Sequence, residues 1–156
     1  MKVKIKKLSD DAVIPSYSKI GDAGLDMTAT SRVVDEYGNF TYGTGLAVEI
    51  PEGYVGLLFP RSSICKQNQY LTNSVGVLDS NYRGEVKFKF KFGIGLQYDL
   101  DTPFEKYRMV MPYNLYEIGD RIGQLIIIPY PNIEFEEVDE LSSTNRGEGG
   151  FGSTGK

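Results

Sequence analysis

The chain has 156 residues, of which 40% are hydrophobic and 24% are charged, the size and composition of one globular domain. It has no histidine and one cysteine, Cys65, which excludes imidazole catalysis, histidine-ligated zinc, an internal disulfide and a thiolate metal cluster. The net charge of −4 excludes a broad basic surface for nucleic acid. Any polyanionic ligand must therefore be held by a few local cations or by a metal ion.

Three features predict where the protein resides. The first residues, MKVKIKKLSDDAV, lack the apolar core of a signal peptide. The longest uncharged apolar-rich stretch, 122–133, is too short to span a bilayer. A lone thiol fits a reducing compartment. We therefore expect a soluble cytoplasmic protein that contacts neither a membrane nor nucleic acid directly.

Alternation of apolar and polar residues predicts short β-strands along the chain, at 46–50 and 55–59 among others. Residues 62–70 look helical, with a serine available as the N-cap. The clearest strand is EVKFKFKF at 85–92, which presents phenylalanines on one face and lysines on the other. The apolar run 122–128 predicts a strand buried on both faces. Regular turn signals between these strands predict an all-β sandwich or barrel with one short helix.

Two segments differ from the rest in composition. Residues 93–117 contain four of the chain's 11 tyrosines and one of its 8 phenylalanines, which predicts an ordered excursion. Residues 142–156, SSTNRGEGGFGSTGK, have five glycines among the last ten residues, which predicts a tail that is mobile when no ligand is bound. We therefore divide the chain into a domain at 1–141 and a C-terminal arm at 142–156.

The arm contains a sequence typical of phosphate-binding loops. GFGSTGK at 150–156 fits most of a Walker A motif, but the final Ser/Thr and the helix that the motif needs after Lys156 are absent, so that site is not expected. Its glycine amides, with Arg146, Ser153 and Thr154, could still surround a phosphate chain. Considered alone, the segment could equally be a solvated tail.

Polar residues upstream form a second candidate constellation. GDAGLDMTA contains Asp26, PRSS contains Arg61 at the end of a strand, and GVLDSNYRGEV contains Asp79 within a predicted hairpin. Considered singly, each of these residues is more often part of a turn than of a site.

Considered together, these segments point to one protein family much more specifically than any of them does alone. DAGLDMTA, PRSSI, GVLDSNYRGEV, GDRIGQLIIIP and RGEGGFGSTG occur in the order of the five motifs of the homotrimeric dUTP pyrophosphatase (dUTPase) family, which the chain closely resembles. The resemblance implies a distorted β-barrel or jelly roll that forms a homotrimer. It also implies active sites between subunits, each closed by the swapped C-terminal arm of another chain.

The resemblance implies a reaction and its catalytic residues. Asp79 would activate the water that attacks the α-phosphorus of dUTP, giving dUMP and pyrophosphate. Such a reaction limits uracil incorporation into DNA and supplies dUMP for dTMP synthesis. Gln124 and Arg146 would assist, and Asp26 would hold Mg²⁺ through water.

The resemblance also assigns the substrate-binding residues. Arg61, Ser62 and Gln124 would contact the triphosphate from the domain, and Arg146 from the arm. Uracil would be read by the hairpin backbone and stacked on by an arm phenylalanine, and Tyr82 would pack on the deoxyribose. The full substrate-binding set is Arg61, Ser62, Ser63, Asn73, Gly76, Val77, Leu78, Tyr82, Phe151, Gly152, Ser153 and Thr154.

The chain departs from the family pattern at two places that matter below. Gly123 stands where alanine is common, which we regard as a minor change. Residues 93–117 lack a family counterpart, and two interpretations stay open. They form either an extra hairpin packed on the barrel, or a surface whose tyrosines bind a protein partner or shield the nucleotide.

Two other functions compete with dUTP hydrolysis. A dCTP deaminase shares the fold, but it needs a glutamate to activate water at the pyrimidine ring and has a different C-terminal segment. A non-catalytic nucleotide-binding module would be expected to lack Asp26, Asp79 or the arm, and all three are present.

Overall fold

The computed structural model describes residues 1–67, 69–92 and 115–150, together with two strands at 95–98 and 107–110 whose side chains are not described. Phe151, Gly152, Ser153 and Thr154, which carry four of the predicted contacts, lie outside the described residues. The described part contains no helix with the length and apolar character that a membrane crossing requires.

Two antiparallel sheets build the domain. The first has the strand order β1-β4-β8-β6, with β3 paired to β4, and the second has the order β2-β11-β5-β7. A separate antiparallel pair, β9 and β10, lies within the aromatic-rich segment 93–117. In chain order the strands are β1 (Lys4–Lys7), β2 (Leu25–Thr28), β3 (Ser31–Val34), β4 (Phe40–Glu49), β5 (Tyr54–Pro60), β6 (Gln69–Leu71), β7 (Gly76–Leu78), β8 (Glu85–Phe92), β9 (Gly95–Tyr98), β10 (Tyr107–Val110) and β11 (Arg121–Pro129).

The hydrophobic core lies between the two sheets and draws on both of them. Phe88 and Phe90 of β8 are fully buried with Tyr42 of β4, while Met27 and Ile122 come from the second sheet. The three lysines that alternate with the β8 phenylalanines are exposed, as the period-two pattern predicts. This two-sheet arrangement confirms the predicted all-β jelly-roll class.

The predicted helix is shorter and tighter than expected. Residues Ser62–Lys66 form a 3-10 helix, whose N-cap is Arg61 in an extended conformation with no side-chain capping bond. The predicted serine cap is therefore wrong. The end of the predicted helix is also wrong, because Gln69–Leu71 pairs with β8 and gives its backbone hydrogen bonds to that ladder.

Strand β11 is only partly buried, which corrects a second expectation. Ile122 and Leu125 are buried, whereas Ile128 near the end of the strand is exposed. The strand lies between β2 and β5 at its start, but only β5 pairs with Ile126–Pro129 among the described residues. Its continuous apolar sequence therefore reflects burial over its first half.

Segment 93–117 contains the antiparallel pair of strands β9 and β10. β9 and β10 pair antiparallel in the register Tyr98↔Tyr107 to Gly95↔Val110, as a hairpin requires. Among the aromatic residues of this segment, Tyr116 has a described side chain, and it is buried in the core. The prediction that the other tyrosines form a partner surface therefore stays a prediction.

Gly123 is under a tight packing constraint, so the replacement of a common alanine is not minor in this chain. A Cβ atom at Gly123 would overlap the edge of the Phe88 ring. Phe88 is itself fully buried in the middle of β8. Since protein cores are close-packed, the large ring at 88 and the missing side chain at 123 are complementary.

We predict that Gly123→Ala lowers the free energy of unfolding by about 1–3 kcal/mol, because the added methyl group overpacks the core. Chemical denaturation measures this change. In a Phe88→Leu background the same substitution should cost less. An equal penalty in both backgrounds would contradict the proposed complementarity.

Candidate active site

A cavity of about 220 Å³, called the hairpin cavity below after the hairpin predicted here from the sequence, lies beside the loop that joins β7 to β8. The predicted hairpin is wrong: β7 pairs with β5 in the second sheet, whereas β8 pairs with β4 and β6 in the first, so residues 79–84 connect the two sheets. Six residues predicted from the sequence line this one cavity: Asn73, Gly76, Val77, Leu78, Asp79 and Tyr82. The remaining lining residues are Leu58, Glu85 and Lys87, which the sequence reasoning did not single out.

The loop after Asp79 is closed by its own hydrogen bonds. The Tyr82 amide donates to the Asp79 carbonyl at 3.1 Å, and the Arg83 guanidinium donates to the Ser80 carbonyl at 2.6 Å. The Tyr82 hydroxyl donates to the Glu85 carbonyl at 3.1 Å. A Cβ at Gly84 would overlap the Tyr82 ring, so glycine at this position lets the ring lie back over the loop. Tyr82 remains 44% exposed and can contact a ligand.

Asp79 also borders a second cavity, of about 410 Å³. Tyr54, Val55 and Tyr130 line it together with Ser80 and Asn81 of the loop. A ligand that extends from the hairpin cavity into this larger space would therefore pass the Asp79 carboxylate.

A second group of predicted residues meets at Asp26. The Arg61 Nε lies 3.2 Å from Asp26 Oδ1, and the Gln124 Nε2 donates to the same oxygen at 3.1 Å. Arg121 donates from Nη1 to Oδ2 at 2.9 Å. The Asp26 side chain is only 13% exposed, so its charge is compensated by these partners rather than by solvent. Two guanidinium groups against one carboxylate leave a net positive charge that can attract an anion.

Local backbone features bring these side chains together. Asp26 and Gln124 are direct cross-strand partners in the β2–β11 ladder. A Cβ at Gly24 would lie 2.9 Å from Gln124 Cδ, so this glycine leaves room for the amide. The ladder also shifts register between Arg121 and Gly123. Such an irregularity redirects side chains, and here both Arg121 and Gln124 reach the same carboxylate.

Arg121 is a site residue that the sequence reasoning missed. It lies in the GDRIGQ segment, but regular alternation would place residues 121 and 124 on opposite faces of the strand. The positive charge of Arg121, three residues before Gln124, was the one feature of the sequence that could have indicated its place in the site. The bulge that unites them is not visible in the sequence.

Arg61 and Ser63 line a third cavity, of about 290 Å³. Tyr116 and Arg121 form part of the same wall, and the other lining residues are Gln67, Gly119 and Asp120. Burial raises the pKa of the Tyr116 hydroxyl above its ordinary value of 10.0, so this group keeps its proton at neutral pH. Ser62 is exposed at the start of the 3-10 helix.

The predicted residues therefore form two separate groups within one chain. The described residues that line the hairpin cavity do not include any from the Arg61 cavity. Arg146 lies in neither group, and its guanidinium donates to the Gly149 carbonyl at 2.8 Å within its own turn.

Comparison with known proteins identifies the family. A family model described as dUTPase matches residues 10–92 and 115–155, well over half of the chain. The chain belongs to the dUTPase family. The deoxyuridine 5'-triphosphate nucleotidohydrolase of Hydrogenobaculum sp. (strain Y04AAS1) is 39% identical over 158 residues, covering 99% of each chain. The enzyme is accordingly a hydrolase that acts on dUTP, and residues 93–114, which the family model does not match, fall within the segment that departs from the family pattern.

Solved structures of phage dUTPases resemble this fold closely. A mutant of Staphylococcus bacteriophage 80alpha dUTPase with dUpNHpp has a TM-score of 0.76 and 32% identity, covering 99% of each chain. A mutant dUTPase from phage phi11 of S. aureus, described for its coordination of a structural Mg(II) ion, has a TM-score of 0.69 and 26% identity. That match covers 90% of this chain and 98% of the phage chain.

We predict that Gly84→Ala raises the KM for dUTP about tenfold, because the added methyl group displaces the Tyr82 ring from the cavity wall. Steady-state kinetics measure the effect. In a Tyr82→Ala background the same substitution should change KM little, since no ring remains to be displaced. Independent effects of the two substitutions would contradict this explanation.

Proposed function

We propose that Asp79 is the general base of dUTP hydrolysis and that the reaction occurs at the α-phosphorus. The observation that supports this most strongly is the position of Asp79 between the hairpin cavity and the larger cavity beyond it. Asp79 removes a proton from water, the water oxygen bonds to the α-phosphorus, and the bond to the pyrophosphate oxygen breaks. The products are dUMP and pyrophosphate. Because an ordinary aspartate is a weak base, positioning of the water supplies much of the rate.

The hairpin cavity holds the nucleoside in this proposal. Backbone groups of Gly76–Leu78, with the Asn73 amide, read the polar edge of uracil. Tyr82 packs on the deoxyribose and leaves no room for a 2′-hydroxyl. The cavity is the right size class for a nucleoside but not for a whole nucleotide triphosphate.

The triphosphate is bound by the cluster around Asp26. Arg61, Ser62, Ser63 and Gln124 contact its oxygens, and the Asp26 carboxylate holds the Arg61 guanidinium in place. Preorganised cations of this kind stabilise the charge that develops on a phosphoryl group. Arg146 and Phe151, Gly152, Ser153 and Thr154 complete the contacts from the arm.

Mg²⁺ is the proposed cofactor. Among the described residues no three carboxylates or thiols converge on one point, so a cage built by protein ligands alone is not expected there. Asp26 accepts three hydrogen bonds, which leaves one of the roughly four lone-pair positions of a carboxylate for a metal-bound water. This fits the usual preference of Mg²⁺ for water, substrate phosphate and few carboxylates. When bound, the ion neutralises phosphate charge.

The enzyme acts as a homotrimer in this proposal. The hairpin group and the Asp26 group are separate within one chain, so a complete site needs a second subunit to present the phosphate cluster to Asp79. Large apolar residues after β11 are exposed, including Ile133, Phe135 and Leu141, with Phe135 93% exposed. Exposed apolar residues in such a row are typical of an assembly surface. The arm at 142–156 of one subunit then closes over a site built by its neighbours on their 1–141 domains.

The cellular role follows from the reaction. We propose that the enzyme works in the cytoplasm, limits uracil incorporation into DNA and supplies dUMP for dTMP synthesis. It needs no direct contact with nucleic acid or membrane. A protein partner at 93–117 would add regulation without changing this chemistry.

Deamination is disfavoured by the state of the one glutamate in the hairpin cavity. The Glu85 carboxylate accepts a hydrogen bond from the Gly45 amide at 2.9 Å and lies 3.2 Å from Lys87 Nζ. A carboxylate held in this way serves the strand pairing and is poorly placed to activate water.

We predict that Asp79→Asn abolishes pyrophosphate release from dUTP while dUTP binding persists, because the amide cannot accept the proton. The assay compares dUTP, dCTP, dTTP and UTP in the presence of Mg²⁺, with release expected from dUTP alone. Asp10→Asn, at an exposed aspartate, is the matched control and should keep full activity. Ammonia release from dCTP would point instead to deamination. Tight binding of dUTP without turnover by the unmodified enzyme would point to a binding module.

We predict that Phe135→Ser weakens the trimer, because it removes an apolar side chain that the assembly would bury. Sedimentation velocity over a range of protein concentrations measures the change in mass. Tyr37→Ser, at an exposed aromatic in the β3–β4 turn, should leave the mass unchanged. A monomeric unmodified enzyme with full activity would refute the shared-site proposal.

A further inference from the structure

Tyr116 has a buried hydroxyl whose chemistry the fold does not use. The residue is 3% exposed and connects the aromatic-rich segment to the turn before β11. Its ring packs against Tyr42 and Phe90, with centroids 6.0 and 5.4 Å away. Its carbonyl accepts hydrogen bonds from Arg32 at 2.9 Å and from the Tyr42 hydroxyl at 3.2 Å. The ring and the carbonyl are therefore engaged, whereas the hydroxyl makes no hydrogen bond of regular geometry among the described residues. Burial raises the pKa of that hydroxyl, although the Ser63 side chain lies close enough to lower it in part.

This arrangement is costly unless another state of the protein uses the hydroxyl. Leaving a buried hydroxyl without a partner destabilises a protein, and phenylalanine would supply the same ring without that cost. The groups around the Tyr116 hydroxyl belong to the wall of the Arg61 cavity. They include the Ser63 side chain, the Arg61 guanidinium and the Asp120 carboxylate, while Tyr42 acts on the hydroxyl from the core side.

We propose that Tyr116 is a positioning residue for the substrate phosphates, acting through Ser63, an inference that rests on the function proposed above. In the substrate complex the Ser63 hydroxyl donates its proton to a phosphate oxygen, and the Tyr116 hydroxyl donates to Ser63 Oγ. Ser63 can do both, because a serine hydroxyl carries one donor and two acceptor positions.

The relay explains why a tyrosine is useful at this position. A hydrogen bond accepted by Ser63 Oγ strengthens the bond that Ser63 donates, since bonds in a chain polarise one another. The relay also fixes the Ser63 rotamer towards the cavity, which contains the cations Arg61 and Arg121. The Tyr116 hydroxyl thus gains a well-formed hydrogen bond to Ser63 when the substrate is bound.

The proposal predicts opposite effects of Tyr116→Phe on stability and on binding. The melting temperature of the ligand-free protein should stay equal or rise, because an unpartnered buried hydroxyl is removed. The KM for dUTP, and the Kd for a non-hydrolysable imido analogue of dUTP, should rise about five- to tenfold, the range expected for one lost hydrogen bond. The Kd for deoxyuridine, which has no phosphate, should not change.

Two further variants make the test specific. Tyr42→Phe removes a buried hydroxyl that already has a partner, so it should lower the melting temperature. Ser63→Ala should weaken binding of the imido analogue. Adding Tyr116→Phe to Ser63→Ala should then have no further effect, because Tyr116 acts through Ser63.

Three results would overturn the proposal. They are a lower melting temperature with unchanged Kd for the imido analogue, a weakened Kd for deoxyuridine, and additive effects of Tyr116→Phe and Ser63→Ala. A different result would show that the proposed function itself is wrong. In that case the unmodified enzyme would bind the imido analogue no better than deoxyuridine.

Discussion

The shared carboxylate of Asp26 is the interaction on which the site depends. Arg61 at the end of β5 and Arg121 and Gln124 on β11 all bind it, so it joins three strands of the second sheet at one point. The Asp26 carboxylate is mostly buried, so removing its partners would leave an uncompensated charge, which destabilises a protein. The same contacts hold two guanidinium groups in fixed directions with a net positive charge. The stability of this sheet edge and the proposed affinity for phosphate therefore share one physical origin.

Under the proposed function, the geometry of a single chain separates binding of the base from binding of the phosphates. Asp79 lies with the hairpin cavity, whereas Arg61 and Ser63 line another cavity. An acidic protein can bind a polyanion in this way, because the cations are confined to one small region rather than spread over the surface. In the proposed homotrimer, this division makes the oligomeric state part of the chemistry. A subunit that folds correctly but does not assemble would hold only half of the proposed site.

Much of the fold could be predicted, because period-two alternation directly records which residues face a core. Val86, Phe88 and Phe90 are buried as EVKFKFKF predicts. Three details could not be predicted: the bulge that brings Arg121 to Asp26, the 3-10 geometry at Ser62–Lys66, and the overlap that excludes a side chain at Gly123. Each depends on a partner distant in sequence. The family and its dUTP hydrolysis are confirmed, whereas the roles assigned to individual residues remain predictions.

The sequence by itself determined the all-β class and the five motifs that mark the family. Its composition also excludes catalysis by histidine and metal clusters held by several thiolates. These properties are local, since they depend on residue type and short spacing. Tertiary structure alone decided that six predicted residues around β7 share one cavity, that Asp79 borders two, and that the Tyr116 hydroxyl is buried near Ser63 without a regular hydrogen bond among the described residues. Those facts arise from contacts between strands far apart in the chain, whose register and burial are set by packing of the whole domain.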